Sequence, residues 1–257
     1  MSDSNEAIYE AAVRAMRDGE AVALATIVDA GPSSPRAPGA KMLIYADGRT
    51  EGTVGGGPSE AWVVGQAREA LIEGRSRLIS RSAEEGEDVC AGDISCFVDI
   101  LLPEPTLLIV GAGYIGQAVA SIGAWLGFRI AILDERPSMV SPEHFPDADV
   151  LIGGSLDAEL QSYPLGEHVY VILVTPHHSP DEEALAILAE REVPYVGLLG
   201  GKRRTEATFG RARALGVPEG FLEQIHTPIG IDIGAETPKE IALSILADVT
   251  AVRRGGR

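Results

Sequence analysis

The rhythm of apolar positions changes partway along the chain. Up to about residue 102, helical spacing and strict alternation take turns. Residues 6–19 (EAIYEAAVRAMRDG) set apolar side chains three and four apart, as one helix face requires, and residues 20–30, 41–54 and 75–82 read as strands. Asp47-Gly48 marks a hairpin within the second of these, because the pair accepts the positive φ of a two-residue loop. A helix is expected from Pro58 to about Leu71, with Pro58 in the first turn, where no N–H donor is needed. The alternation ISCFVDILL, residues 94–102, closes the unit and places Ile94, Cys96, Val98 and Ile100 on one face. These elements predict an α+β domain over residues 1–102.

After PEPT, a natural linker at residues 103–106, the pattern becomes an apolar run, glycines, helical spacing and a second apolar run ending in an acid. Residues 107–137 therefore read as one βαβ unit. Strand candidates at 149–154, 168–175 and 193–200 follow, each trailed by a helical pattern, so residues 107–257 predict a doubly wound parallel sheet and an α/β fold class for the chain. Two helix starts are strongly signalled. Ser179-Pro180-Asp181-Glu182 and Thr237-Pro238-Lys239-Glu240 each combine a hydroxyl cap, a proline in the first turn and a glutamate three residues on.

Composition narrows the function classes. The 257 residues are 45% apolar, enough to fill real cores, yet no stretch approaches the roughly 18 to 20 apolar residues of a membrane span. The first twenty residues lack a signal peptide's basic and apolar regions, so a cytoplasmic location is expected. A formal charge of −17 opposes nucleic acid and anionic membrane, leaving small molecules, other proteins or a second copy of the chain as partners. Cys90 and Cys96 are too few for a disulfide scaffold and lack metal-finger partners. Cys96 shares the apolar parity of its strand. Cys90 lies among Glu85, Glu87 and Asp88, which raise a thiol's pKa, so a soft-metal or sulfur ligand fits it better than a free nucleophile.

The candidate chemistry gathers at glycines and cations. Gly111, Gly113 and Gly116 form G-x-G-x-x-G directly after a strand, and Asp134 ends the next strand. This is the dinucleotide arrangement, in which the glycines admit phosphate and the acid holds ribose hydroxyls, so NAD(P) or another nucleotide is a candidate ligand. His177 and His178 follow a strand and are the candidate proton donors for a redox reaction. Gly55, Gly56 and Gly57 precede a helix, and their N–H groups would form an anion nest, with Arg36 as a nearby cation. Lys202, Arg203 and Arg204 stand at another helix start, where they oppose the macrodipole unless an anion joins them; a solvated face is the plainer reading.

The glycine triplet with Glu60, Cys90-Ala91-Gly92, the mid-chain fingerprint, VPYVGLLGGKRR and the tail IHTPIGIDIGAETPKEIALSILADVTA together resemble the XdhC/CoxI family of xanthine dehydrogenase accessory factors. That resemblance spans nearly the whole chain. It implies an N-terminal XdhC/CoxI domain followed by a Rossmann domain, and a chaperone-like carrier that binds molybdenum cofactor (molybdopterin). It also implies sulfuration with a cysteine desulfurase and delivery to a molybdenum hydroxylase client, with the cofactor held between the two domains. An NAD(P)-dependent oxidoreductase and a nucleotide-sensing regulatory module remain the alternatives. Where relatives often carry His or Cys after the glycines, this chain has Pro58.

Overall fold

A computed structural model describes residues 5–31, 36–81, 93–176 and 181–255, and the chain divides into two compact units, Met1–Pro103 and Glu104–Arg257.

The first unit is built on an antiparallel sheet of β1 (Val22–Ala30), β2 (Lys41–Tyr45), β3 (Thr50–Gly52), β4 (Arg77–Arg81) and β5 (Ile94–Leu101), in the order β3-β2-β1-β5-β4. Strand β1 is central, and its sequence explains why. Val22 and Leu24 face helix α1 (Asn5–Arg17), packing with Ile8, Ala11, Ala12 and Ala15, while Ala23, Ala25 and Ile27 face the side where Val63, Ala67 and Ala70 of helix α2 (Gly57–Glu73) pack. A strand apolar at both parities can be buried on both faces. In the β2–β3 hairpin the Tyr45 N–H donates to Arg49 and the Gly48 N–H to Tyr45, giving a loop of Ala46, Asp47 and Gly48, one residue longer than the two-residue loop the pair suggests. Gly48, at φ +93°, takes the left-handed step that returns the chain to register.

The second unit is a parallel sheet of β6 (Thr106–Val110), β7 (Arg129–Asp134), β8 (Val150–Gly153), β9 (Val169–Leu173) and β10 (Tyr195–Leu198), ordered β10-β9-β6-β7-β8. The interior positions of its strands are apolar because both faces are covered. Helices α3 (Tyr114–Trp125) and α8 (Pro238–Arg253) enclose Leu107, Ile109, Ile130, Ile132 and Ile172 on one face. Helices α4 (Leu156–Ser162), α5 (Asp181–Leu188), α6 (Lys202–Ala214) and α7 (Glu219–Leu222) enclose Leu108, Val110, Leu133, Val171 and Leu173 on the other. The chain steps from β6 out to β8 and then crosses to β9 on the far side of β6, so the strand order reverses between β6 and β9. In an open α/β sheet, the crevice at that reversal is where ligands bind. Thr237 caps α8 as expected, its hydroxyl accepting from the Glu240 N–H while the Glu240 carboxylate accepts from the Thr237 N–H. Ser179 and Pro180 lie outside the described residues.

Cys96 is fully buried beside Ile94 and Val98, and burial pushes its thiol up to about 11. Cys96→Ser is expected to lower unfolding stability by about 1–3 kcal/mol in urea titrations, from a buried hydroxyl without an assured partner. Peptide mapping after alkylation of the folded protein near neutral pH should find Cys96 unlabelled.

Candidate functional site

The loop from β6 into α3 passes so close to the end of β9 that its first glycine admits no side chain. Gly111 sits at φ +119°, and a Cβ there would lie 2.6 Å from the Val174 carbonyl oxygen and 2.9 Å from the Thr175 nitrogen. A Cβ on Gly116 would overlap the Gly111 carbonyl oxygen, so this glycine lets the helix close on the strand. Gly113 differs from both. Its φ of −79° suits any residue, and a Cβ would meet nothing within 4 Å. The protein itself gives no reason for a glycine at position 113, at the start of α3, whereas a ligand seated against that backbone would.

Asp134 closes this loop from below. Its carboxylate is buried and accepts the Ala112 N–H at 2.7 Å, the Arg136 N–H at 2.9 Å and the Arg136 Nε and Nη2, each at 2.8 Å. Burial would raise its pKa, but the hydrogen bonds from the Arg136 side chain and from the two backbone N–H groups outweigh it and hold the carboxyl below its ordinary value. The expectation that Asp134 offers a free acceptor to ribose hydroxyls is therefore corrected. All four of its lone-pair positions are in use within the chain. Arg136, two residues past the acid, was legible in the sequence but not singled out.

The two other proposed anion sites also contain internal carboxylates. Gly55, Gly56 and Gly57 take φ values of 150°, 87° and 64°, and α2 begins there. A single oxygen of Glu60 accepts the Val54 N–H at 3.2 Å, the Gly56 N–H at 3.0 Å and the Thr53 hydroxyl, while the Gly55 N–H donates to that hydroxyl at 3.1 Å. Of the triplet's N–H groups, that of Gly56 is taken by a carboxylate of the same chain and that of Gly55 by the Thr53 hydroxyl, so in this arrangement the triplet does not fit a pterin's phosphate. Arg36 shares with Lys41, Gly52 and Thr53 the wall of a pocket of about 170 Å³.

At the start of α6 the cationic trio divides. Arg204 donates to the Asp181 carboxylate at 2.7 Å and to the Thr175 hydroxyl and carbonyl at 3.0 and 3.2 Å, and the Thr175 hydroxyl donates in turn to Asp181. Asp181 is 2% exposed and Arg204 24%, so this cation is consumed by a buried acid at the start of α5. Lys202 and Arg203 stay exposed. Cys90, His177 and His178 lie outside the described residues.

One cluster was missed by sequence reasoning because its members come from three separate segments. Tyr195 of β10 donates its hydroxyl to Asp248 of α8 at 3.0 Å, and His226 Nδ1 lies 2.8 Å from the same oxygen, its ring 4.3 Å from that of Tyr195. The His226 backbone extends the edge of β10, bonding to Val196 and Leu198. Among the described residues there is no group of three or more His, Cys, Asp or Glu side chains that could hold a metal, and no helix long and apolar enough to cross a membrane.

Comparison with known proteins matches residues 107–249 to the XdhC Rossmann domain and residues 15–81 to the XdhC and CoxI family. Over 237 residues the chain is 37% identical to the uncharacterized protein YqeB of Escherichia coli (strain K12), covering 90% of this chain and 43% of that protein. It is 30% identical over 158 residues to a probable xanthine dehydrogenase subunit of Bacillus subtilis (strain 168), covering 62% and 46%. Across an alignment of 311 positions it is 25% identical to the molybdenum cofactor insertion chaperone PaoD of Escherichia coli (strain K12), covering 98% and 90%. The chain thus spans less than half the length of the first two.

Removing Arg204 would strand a buried acid, whereas Lys202 and Arg203 hold nothing comparable. Arg204→Ala is expected to cost roughly 2–4 kcal/mol, below the full buried-pair value because the arginine is a quarter exposed. Lys202→Ala and Arg203→Ala should stay within about 0.5 kcal/mol, all three compared by urea unfolding. The Asp134 pair adds a pH dependence. Its folded pKa is depressed, so its contribution to stability is complete above the unfolded value of about 4 and is lost as pH falls through the folded one. Asp134→Asn should therefore lose more stability relative to wild type at pH 7 than at pH 3.

Proposed function

Because the chain belongs to the XdhC and CoxI family, we propose that it is a maturation factor that holds molybdenum cofactor and hands it to a molybdenum hydroxylase of the xanthine dehydrogenase class. The observation that carries this reading is the match of both family regions in one chain, joined by a likeness to an insertion chaperone over nearly the full length of both proteins. A cysteine desulfurase acting on the carried cofactor and a second copy of the chain are further proposed partners.

In this reading the second unit holds the phosphate-bearing part of its ligand at the fingerprint. The first-turn N–H groups of α3 face the ligand, Gly113 lets it approach the backbone, and Asp134 keeps the loop in place through the Ala112 N–H. The first unit contributes less in its described form, since Glu60 stands where the glycine triplet would meet an anion. Cys90 is the proposed soft ligand for the metal, because thiolate binds such a centre better than oxygen does. Bound cofactor would supply the metal centre, and the protein's part is to bind, shield and release it. Turnover of nicotinamide through His177 or His178 is the alternative chemistry, distinguished by an absorbance assay.

Purification from a cofactor-producing host, followed by metal and pterin analysis, tests the carrier role: co-purifying molybdenum and pterin, and activation of the apo-hydroxylase, are the expected results. Cys90→Ser should reduce molybdenum retention and client activation with little change in melting temperature. Gly113→Val should weaken a phosphate-bearing ligand at least tenfold in calorimetry while the melting temperature stays within a few degrees, since a Cβ there meets no protein atom within 4 Å. Full molybdenum loading without client activation would sink the delivery role.

A further inference from the structure

The end of β7 decides what kind of ribose the crevice can take. In a dinucleotide fold the ribose of the bound nucleotide reaches this strand end, and a carboxylate with a spare lone pair there accepts its hydroxyl protons. Asp134 has none to spare. Oδ1 accepts from the Arg136 backbone N–H and Nε, and Oδ2 from the Ala112 N–H and Arg136 Nη2, on a side chain only 5% exposed. What the strand end presents instead is Arg136, whose side chain is 48% exposed and whose Nη1 takes no part in the pair. A guanidinium donates and never accepts, so it has nothing to offer the proton of a ribose hydroxyl but matches a phosphate.

From this geometry we propose that the nucleotide held at the fingerprint carries a phosphate on its ribose, as NADP does, and that Arg136 selects it over the unphosphorylated form. The inference rests on the reading that the fingerprint binds a nucleotide, and it adds a ligand class that the carrier role does not require. Asp134 acts as a positioning residue in two directions at once. One of its oxygens holds the Ala112 N–H of the glycine loop, and both hold the guanidinium, so the phosphate cradle and the ribose-end cation are set by a single buried carboxylate. The ion pair need not break when an anion arrives, because the Nη1 edge is still unspent. In a chain of net charge −17, a local guanidinium is what would make an additional phosphate an asset instead of a penalty.

Calorimetry of the full chain with NADP and NAD, which differ by this one phosphate, tests the proposal. NADP should bind at least tenfold more tightly at low salt, with the margin shrinking as salt is added. Arg136→Gln should abolish the preference for NADP. Arg136→Lys keeps a charge beside Asp134, guards against a folding defect, and should retain part of the preference; melting temperatures of both variants are measured alongside. Equal affinity, a preference for NAD, or a preference that survives Arg136→Gln would overturn the role of Arg136 while leaving nucleotide binding at the fingerprint intact. Binding of neither dinucleotide would overturn this proposal and nucleotide binding at the fingerprint, whereas the carrier role, with the cofactor's phosphate seated there, is measured by molybdenum content and stands or falls separately.

Discussion

The head of the second unit depends on one close approach, the passage of the β6–α3 loop over the end of β9. With no room for a Cβ at Gly111 or Gly116, the loop lies flat on the sheet and α3 starts directly above β6. That closeness puts the Ala112 N–H within reach of Asp134, and Asp134 then orients Arg136. It also leaves Gly113 as a bare step at the helix start. The strand reversal between β6 and β9 opens the crevice at that same place, so topology and local backbone agree on where a ligand would sit.

A second regularity runs through both units: features whose residue types suit an anion have a carboxylate of the chain beside them. Glu60 takes the Gly56 N–H, Asp181 holds Arg204, and Asp134 holds Arg136. The physical cause is that an acidic chain offers abundant carboxylates, and a donor held near one gains more from it than from water when the site is partly buried. The three differ in what remains available. Arg204 is largely enclosed and Glu60 shields its glycines, but Arg136 keeps an unpaired edge on its exposed side chain. Only the last arrangement combines a satisfied acid with a donor still able to meet a ligand.

Local pattern sufficed wherever an element's burial follows from its own residues. The interior strand positions of the second unit are apolar because a doubly wound sheet covers both faces, and the glycine spacing marks the loop that must turn tightly after the first strand. The parity of Cys96 marked it as core, and the Thr237–Glu240 capping box closed as its spacing requires. These features involve residues a few positions apart, whose geometry is set by the period of a helix or strand. Charge and glycine counts likewise identified where donors would concentrate.

What only the tertiary structure decided is which of those donors are already spoken for. Nothing in the spacing of Thr175, Asp181 and Arg204 shows that they meet, because strand, loop and helix must first fold against one another. The same is true of Tyr195, His226 and Asp248, gathered across 53 residues around one buried oxygen. Even Glu60, only four residues from Gly56, accepts its N–H because a positive-φ backbone curls the chain around the carboxylate. Sequence determined the chemical inventory and the fold that would hold it. Pairing among buried charges is a property of distances between elements, so the difference between an open site and a satisfied one was set in three dimensions.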